Sequence, residues 1–314
     1  MKILMTGSTG FVGTALCQDL QRAGHTVCRL VRPGTAVGKP RGAGGFDVNW
    51  NPATGELGGA AVGADAVVNL AGASIADGRW TLERKQLLLA SRVDTTRALI
   101  QALSRMAARP RVLVSASGIG YYGNCGDQVL TEESPLGHDF LSRLGQEWEA
   151  EAAKAEALGI RVVRARFGII LAKHGGALPR IARPFLWGAA GKIGSGKQWM
   201  SWVMLPDVVA ILRFALENGA VRGPVNVVSP QPARNAEFTK VLAKTLHRPA
   251  LFPAPAFALR LLLGEMADEL LLSSQRAMPA QLEKLGYCFL HPDLTAALSA
   301  VFGTAESGCD WRAR

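Results

Sequence analysis

The stretch Thr6-Gly7-Ser8-Thr9-Gly10-Phe11-Val12-Gly13 stands between an apolar run, KILMT, and the start of an amphipathic one. Its glycines fall where a strand must turn sharply into a helix. Gly7 permits the tight turn, Gly10 lets the backbone approach a ligand, and Gly13 lets helix and strand pack closely. The first amides of the helix then have no intrahelical partner and face the turn, a ready site for a pyrophosphate. A glycine triplet alone is weak evidence. In this strand–turn–helix context it predicts a dinucleotide-binding α/β fold, with Gly7 to Gly13 on the cofactor.

The rest of the chain fits that start. KILMT (2–6), TVCRLV (26–31), DAVVNLA (65–71), RVLVSAS (111–117) and IRVVRAR (160–166) are nearly continuous apolar runs, as in parallel strands covered on both faces. Helical periodicity occupies 11–23, 82–106 and 140–157. The alternation predicts a doubly wound parallel sheet, the Rossmann arrangement. Residues 34–60 are rich in Gly and Pro and predict a loop with a short strand near FDVNW. A helix near 207–218 and a strand PVNVVS (224–229) are expected to return to the sheet. A mainly helical part begins at NAEFTKVLAKTL (235–246), with Asn235 as its N-cap. The expected division is 1–170, with return elements near 203–229, then a smaller substrate part over 171–303 and a tail over 304–314.

At 314 residues, 48% hydrophobic and 19% charged, the composition is that of a globular protein. No apolar run approaches the roughly 20 residues of a membrane helix, and no membrane partner is expected. Five cysteines, at 17, 28, 125, 288 and 309, form no Cys-x-x-Cys pair, and the histidines are dispersed. Neither a disulfide framework nor a metal site is predicted, and a reducing cytoplasm is the expected compartment. The net charge of +10 comes without a basic block or an RNA-binding signature, so phosphate-bearing small molecules account for it better than nucleic acid.

The cofactor type is written at the end of the second strand. An NAD site places Asp or Glu about 20 residues past the glycines, to hold the ribose hydroxyls. No acid lies between Asp19 and Asp47; Val31 is followed by Arg32, with Arg29 nearby. A guanidinium there can hold a 2′-phosphate, which predicts NADP (NADPH). The competing reading of Arg32 is a solvated strand end.

With these residues, NLAG (69–72), RW (79–80), SR (91–92), GYYG (120–123), IGSGKQ (193–198) and VSPQPARNAEF (228–238) make a combination that resembles a known group. The chain is similar to the atypical extended short-chain dehydrogenase/reductases of the NAD-dependent epimerase/dehydratase family, in the nucleoside-diphosphate-sugar epimerase-like branch. RLLLGEMADELLLSSQRAMPAQLEKLGYCF (260–289) resembles the small C-terminal helical domain of that branch. The resemblance covers residues 1–302. It implies a Rossmann domain followed by a smaller substrate domain, and cofactor contacts from Gly7 to Gly13, Val31, Arg32, Leu70, Ala71 and Arg92. It also implies either a monomer or a dimer formed through the helices near 82–106 and 140–157. Two departures weaken any borrowed mechanism: Ala73 stands where the branch often has Glu, and Met204 where it often has His.

Such enzymes usually carry Tyr-x-x-x-Lys as proton donor. The chain has only three tyrosines, and the residues four beyond Tyr121, Tyr122 and Tyr287 are Cys125, Gly126 and His291. Aligning the third helix by Glu147 puts Asp139 in the tyrosine's place and Arg143 in the lysine's. Arginine stays protonated and cannot relay a proton, and aspartate is too acidic, at about 3.9, unless burial raises it. Asp139 also suits a helix N-cap, and Arg143 a pair with Glu147. Ser117 after the fifth strand and the loop residue Tyr121, beside Tyr122, complete the catalytic candidates. Arg180, Arg183, Lys192 and Lys197, interleaved with glycines and with Trp187, Trp199 and Trp202, suit a small polar substrate that is phosphorylated or nucleotide-linked. Two readings stay open: an epimerase or oxidoreductase with altered chemistry, and a binding protein that senses NADP(H).

Overall fold

The computed structural model describes residues 1–31 and 45–303. Its elements are β1 (Lys2–Thr6), α1 (Phe11–Arg22), β2 (Thr26–Val31), β3 (Gly45–Asn51), β4 (Glu56–Leu57), β5 (Ala66–Asn69), α2 (Leu82–Ala90), α3 (Val93–Ser104), β6 (Val112–Gly118), β7 (Val129–Leu130), α4 (Phe140–Ala153) and β8 (Arg161–Phe167). There follow β9 (Ile169–Leu171), α5 (Leu178–Leu186), β10 (Trp199–Met200), β11 (Trp202–Met204), α6 (Leu205–Glu217), β12 (Gly223–Val227), β13 (Ala233–Arg234) and α7 (Asn235–Thr245). The last are α8 (Ala256–Leu263), β14 (Arg276–Ala277), α9 (Ala280–Lys284) and α10 (Leu294–Phe302).

Among the described residues, eight strands form one sheet in the order β12-β8-β6-β5-β1-β2-β3-β4. Every pairing is parallel except β3 with β4, as the apolar runs predict. Side-chain alternation along β1 divides the core. Ile3 and Met5 pack with Leu16 and Leu20 of α1 and with Ile211 and Leu212 of α6. Leu4 faces the other way, onto Leu99 and Leu103 of α3 and Ala152 of α4. A third cluster, around Trp202, Phe238, Leu242 and Leu298, builds the C-terminal helical region.

Three expected elements differ in detail. The helix expected over 82–106 is two helices, α2 and α3, broken at Ser91–Arg92. The one expected over 140–157 ends at Ala153 and continues as a 3-10 turn, Lys154–Leu158. Asn235 is not the N-cap of α7. That place belongs to Arg234, and the Asn235 carboxamide oxygen instead accepts from the Ile193 amide at 2.7 Å. A long-range partner has taken the side chain that the cap reading assigned locally. The predicted strand near FDVNW is β3; of the loop expected over 34–60, residues 34–44 lie outside the described residues, as does the tail expected over 304–314.

Candidate functional site

The site starts where β1 ends. Gly7 adopts φ +65°, and a Cβ there would collide with the Leu70 carbonyl; a Cβ on Gly13 would strike the Gly7 carbonyl. Both glycines are therefore sterically required. Gly10 caps α1 with no side-chain hydrogen bond, and the first turn holds no acid. The opening amides of α1 thus lack side-chain partners and suit an anion. Ser8 is buried, whereas Thr9 and Gly10 are exposed beside it. Phe11 and Val12 are half-buried; the Phe11 ring lies against Gly175 and Gly176, where a Cβ would strike it.

A buried latch fixes the far wall. Thr6 Oγ1 donates to Asn69 Oδ1 (2.7 Å) and accepts from the amides of Leu70 and Ala71 (3.2 Å each). Asn69 Nδ2 donates to Thr96 Oγ1 (2.8 Å) and Ser115 Oγ (3.2 Å). Leu70 and Ala71 are thereby held against the Gly7 turn, at the ends of the adjacent strands β5 and β1. Val31 ends β2 on the other side of β1; Arg32 lies outside the described residues. Arg29 forms an ion pair with Asp47 of β3.

Arg92 stands in the break between α2 and α3. It is 7% exposed, donates to the carbonyls of Ala73 (2.8 Å) and Leu88 (3.2 Å), and lies over the Trp148 ring. Its Nε is buried without a partner, and among the described residues no acid pairs with it. Burial, with the charge of Arg84 adding to it, lowers its pKa to about 10.

The catalytic candidates separate. Ser117 is buried and donates to Glu149 Oε1 at 2.7 Å. Glu149 takes a two-pronged contact from Arg166, Nε at 2.7 Å and Nη2 at 2.8 Å. Arg166 Nη1 donates to Tyr122 Oη (2.9 Å), which donates to Asn226 Oδ1 (2.7 Å). Burial pushes Tyr122 up to about 12. Burial works against the charge on Arg166, but its hydrogen bonds to Glu149 and the field of that carboxylate outweigh this and raise its pKa. Tyr121 is half-buried with its ring 3.6 Å from the Arg166 guanidinium, and its hydroxyl makes no hydrogen bond among the described residues. Asp139 caps α4, accepting from the Ser142 amide (2.8 Å) and the Ser142 hydroxyl (2.7 Å). Arg143 is exposed and makes no ion pair with Glu147 among the described residues, contrary to the pairing its spacing allows.

The substrate candidates fall in four places. Arg180 bonds the Ala76 carbonyl (2.9 Å) and Asp77 (2.5 Å), next to the loop that leaves β5. Arg183 lies over the exposed Trp187 ring. Lys197 is exposed beside Trp199, and Lys192 belongs to a groove along α7. Trp199 is flanked by two guanidiniums, Arg234 and Arg276, each 4.5 Å from its ring. One acid, Asp127, serves this group: it accepts from Trp199 Nε1 (3.0 Å) and pairs with Arg234 (3.1 Å).

Sequence reasoning passed over Glu149, Arg166, Arg234 and Arg276. A signal existed for the first two. Arg166 interrupts the apolar strand VVRARF, and Glu149 follows Leu144 and Trp148 on the buried side of α4. Charges on core faces require partners. Arg234 and Arg276 lie far apart in the chain, and no local pattern joins them.

A doubly wound sheet in this strand order, with a glycine cradle at the end of β1 and a helical C-terminal region, defines an extended short-chain dehydrogenase/reductase fold. The chain belongs to the NAD dependent epimerase/dehydratase family, whose model matches residues 3–228, and a domain of unknown function (DUF1731) matches residues 254–301. An epimerase family protein of Mycobacterium bovis is 40% identical over 307 residues, 98% of each chain. Another, from Bacillus subtilis, is 39% identical over 98% of this chain and 100% of its own. The crystal structure of the human epimerase family protein SDR39U1 (isoform 2) with NADPH is 34% identical, with a TM-score of 0.86 over 97% of this chain and 100% of that one. A UDP-glucuronic acid 4-epimerase from Bacillus cereus, in complex with UDP-glucuronic acid and NAD, shares the fold at a TM-score of 0.76 and 17% identity.

Proposed function

We propose that the protein binds NADP(H) and acts as an epimerase or oxidoreductase on a small polar substrate, phosphorylated or nucleotide-linked, without a Tyr-x-x-x-Lys dyad. The observation that carries the reading is the glycine cradle. A turn closed by Leu70 and Ala71, with unclaimed α1 amides above it, fits a dinucleotide pyrophosphate. Residues 1–170, with the return elements near 203–229, would hold the cofactor, and 171–303 the substrate. When bound, the nicotinamide would supply or accept the hydride. Arg92 supports the cofactor wall from behind Gly72 and Ala73. The human relative's structure with NADPH, and the absence of an acid between Asp19 and Asp47, support NADP over NAD.

For the substrate, Trp199 offers an aromatic ring beside two guanidiniums, of which Arg234 pairs with Asp127 and Arg276 forms no ion pair among the described residues, a surface suited to phosphate. Arg180, Arg183 and Lys197 would extend it. Among the proton-donor candidates, the Tyr121 hydroxyl has no hydrogen-bond partner among the described residues, whereas Ser117 is committed to Glu149 and Asp139 to the helix cap. Arg143 is exposed and free to meet a ribose.

That commitment favours one second reading, an NADP(H)-sensing binding protein. Single-turnover mixing separates the two: NADPH bound to the protein is offered substrates with a carbonyl to reduce, UDP-4-keto-sugars and phosphorylated aldehydes, while its fluorescence is followed. Oxidation that is lost in Tyr121→Phe supports the enzyme. Tight NADPH binding with no turnover across nucleotide sugars and simple phosphorylated aldehydes supports the sensor. Failure to bind either dinucleotide would defeat both.

A further inference from the structure

α8 reads AFALRLLL, yet none of its residues is buried. Phe257, Leu261 and Leu262, with Leu251 and Phe252 just upstream, are each between 62% and 75% exposed. The segment is nevertheless held in place. The Phe252 amide donates to the Ala190 carbonyl (2.9 Å), the Ala254 amide to Lys192 (2.9 Å), and Arg79 Nη2 to the Leu261 carbonyl (3.1 Å). Five large apolar side chains exposed within residues 251–262, on a backbone held at both ends, are more than a lone surface leucine and call for something that covers them.

Beside it runs a groove of about 850 Å³ along α7. Lys192, Lys240, Lys244 and Arg248 line it, with no acid among the lining residues, and Leu251 belongs to both groove and patch. None of the four cations forms an ion pair among the described residues. Lys240 and Lys244 stand one turn apart on α7, a repulsive spacing. At the other end of α8 the charges are matched, Arg260 with Asp268 and Lys85 with Glu265.

We infer that this face docks on an anionic lipid bilayer, with the α8 side chains at the acyl boundary and the α7 cations among the headgroups. An apolar strip flanked by unpaired cations is the chemistry of an interfacial helix. Eight residues of helix reach only about 12 Å, so α8 lies in the interface and does not cross it. A second copy fits less well, because each chain carries a charge of +10 and would bring its own unpaired cations to the contact. The sequence predicts no membrane partner because it holds no spanning run; an interfacial face needs none. The inference does not depend on the proposed chemistry.

Sedimentation of the full chain with vesicles tests it. The protein is expected to pellet with phosphatidylglycerol-rich vesicles and to stay in solution with pure phosphatidylcholine, and added salt should release it. Phe257→Ser with Leu261→Ser, and separately Lys240→Glu with Lys244→Glu, should each weaken binding about tenfold or more. Unchanged melting temperature and NADPH affinity would establish that both variants are folded. A wild-type protein that stays in solution with anionic vesicles overturns the inference. So does a Phe257→Ser, Leu261→Ser variant that turns a dimer into a monomer in native mass spectra while vesicle binding persists, which assigns the patch to a second copy.

Discussion

Glu149 and Arg166 lie almost wholly out of water and depend on one another. Each is 5% exposed or less, and neither has another ion-pair partner among the described residues. Removing one partner leaves the other charge buried, so Glu149→Ala should lose about 3–5 kcal/mol of stability. Pairing Glu149→Leu with Arg166→Met should recover most of that loss, because two apolar side chains need no partner. Denaturant unfolding of the three variants checks it, and a single variant that unfolds like the wild type would sink the pairing argument. Arg32 calls for a binding test. Arg32→Glu should reverse the preference for NADPH over NADH, with a loss of about 1.5–3 kcal/mol in NADPH binding, roughly ten- to hundredfold. Equal affinity of the wild type for both dinucleotides would defeat that prediction. At this scale the turn at Gly7 and the close packing at Gly13 were legible, because their steric demand is local. The Ser117 hydroxyl was not, since the carboxylate that claims it arrives from a helix 32 residues later.

α4 carries two acids at its N-terminus, and they differ in origin. Asp139 caps it locally, while Glu269 reaches in from the C-terminal helical region to accept from the amides of Phe140 (3.1 Å) and Leu141 (2.9 Å). Asp139→Asn should keep the cap, fold normally and bind cofactor, whereas Asp139→Ala should cost about 1 kcal/mol. A folded Asp139→Asn variant that loses a robust wild-type turnover would make Asp139 an acid in the reaction. Burial pushes Glu269 up to about 7 against the pull of those two amides, and Asp139 and Glu265 nearby add to the shift. An acid raised in the folded state contributes fully below its ordinary value of 4.5, and the contribution is lost as pH rises through about 7. The melting temperature should therefore fall across that window in the wild type and less so in Glu269→Gln; parallel curves would refute the assignment. Strands and long helices were readable because their apolar period follows from burial. The break at Ser91–Arg92 was not, since Arg92 interrupts a helical pattern to reach the Ala73 carbonyl, a contact no window of neighbours contains.

Over the whole molecule, the sheet is built from distant parts. β1, β2, β5, β6 and β8 all lie within residues 1–170, and the alternation of apolar runs predicts them. β12 joins β8 only after an excursion through β9, α5, β10, β11 and α6. Short pairings such as β10 with β13 or β14 with β7 are two residues long and leave no periodic trace in the sequence. They nonetheless bring Arg234 and Arg276 to the Trp199 ring, which is why that cluster was less legible than the glycine turn.

The late arrival of β12 sets an order of assembly on the ribosome. Until residue 227 has emerged, β8 is an outer edge, and its inward side chains Val163 and Ala165 lack the Val225 and Val227 that join them in the finished core. An unpaired apolar edge is a template for other chains. A chain ending at residue 222 should therefore aggregate on expression, while one ending at 303 should stay monodisperse. Comparing the two by light scattering checks this, and a monodisperse 222-residue chain would show that the sheet closes without its last strand.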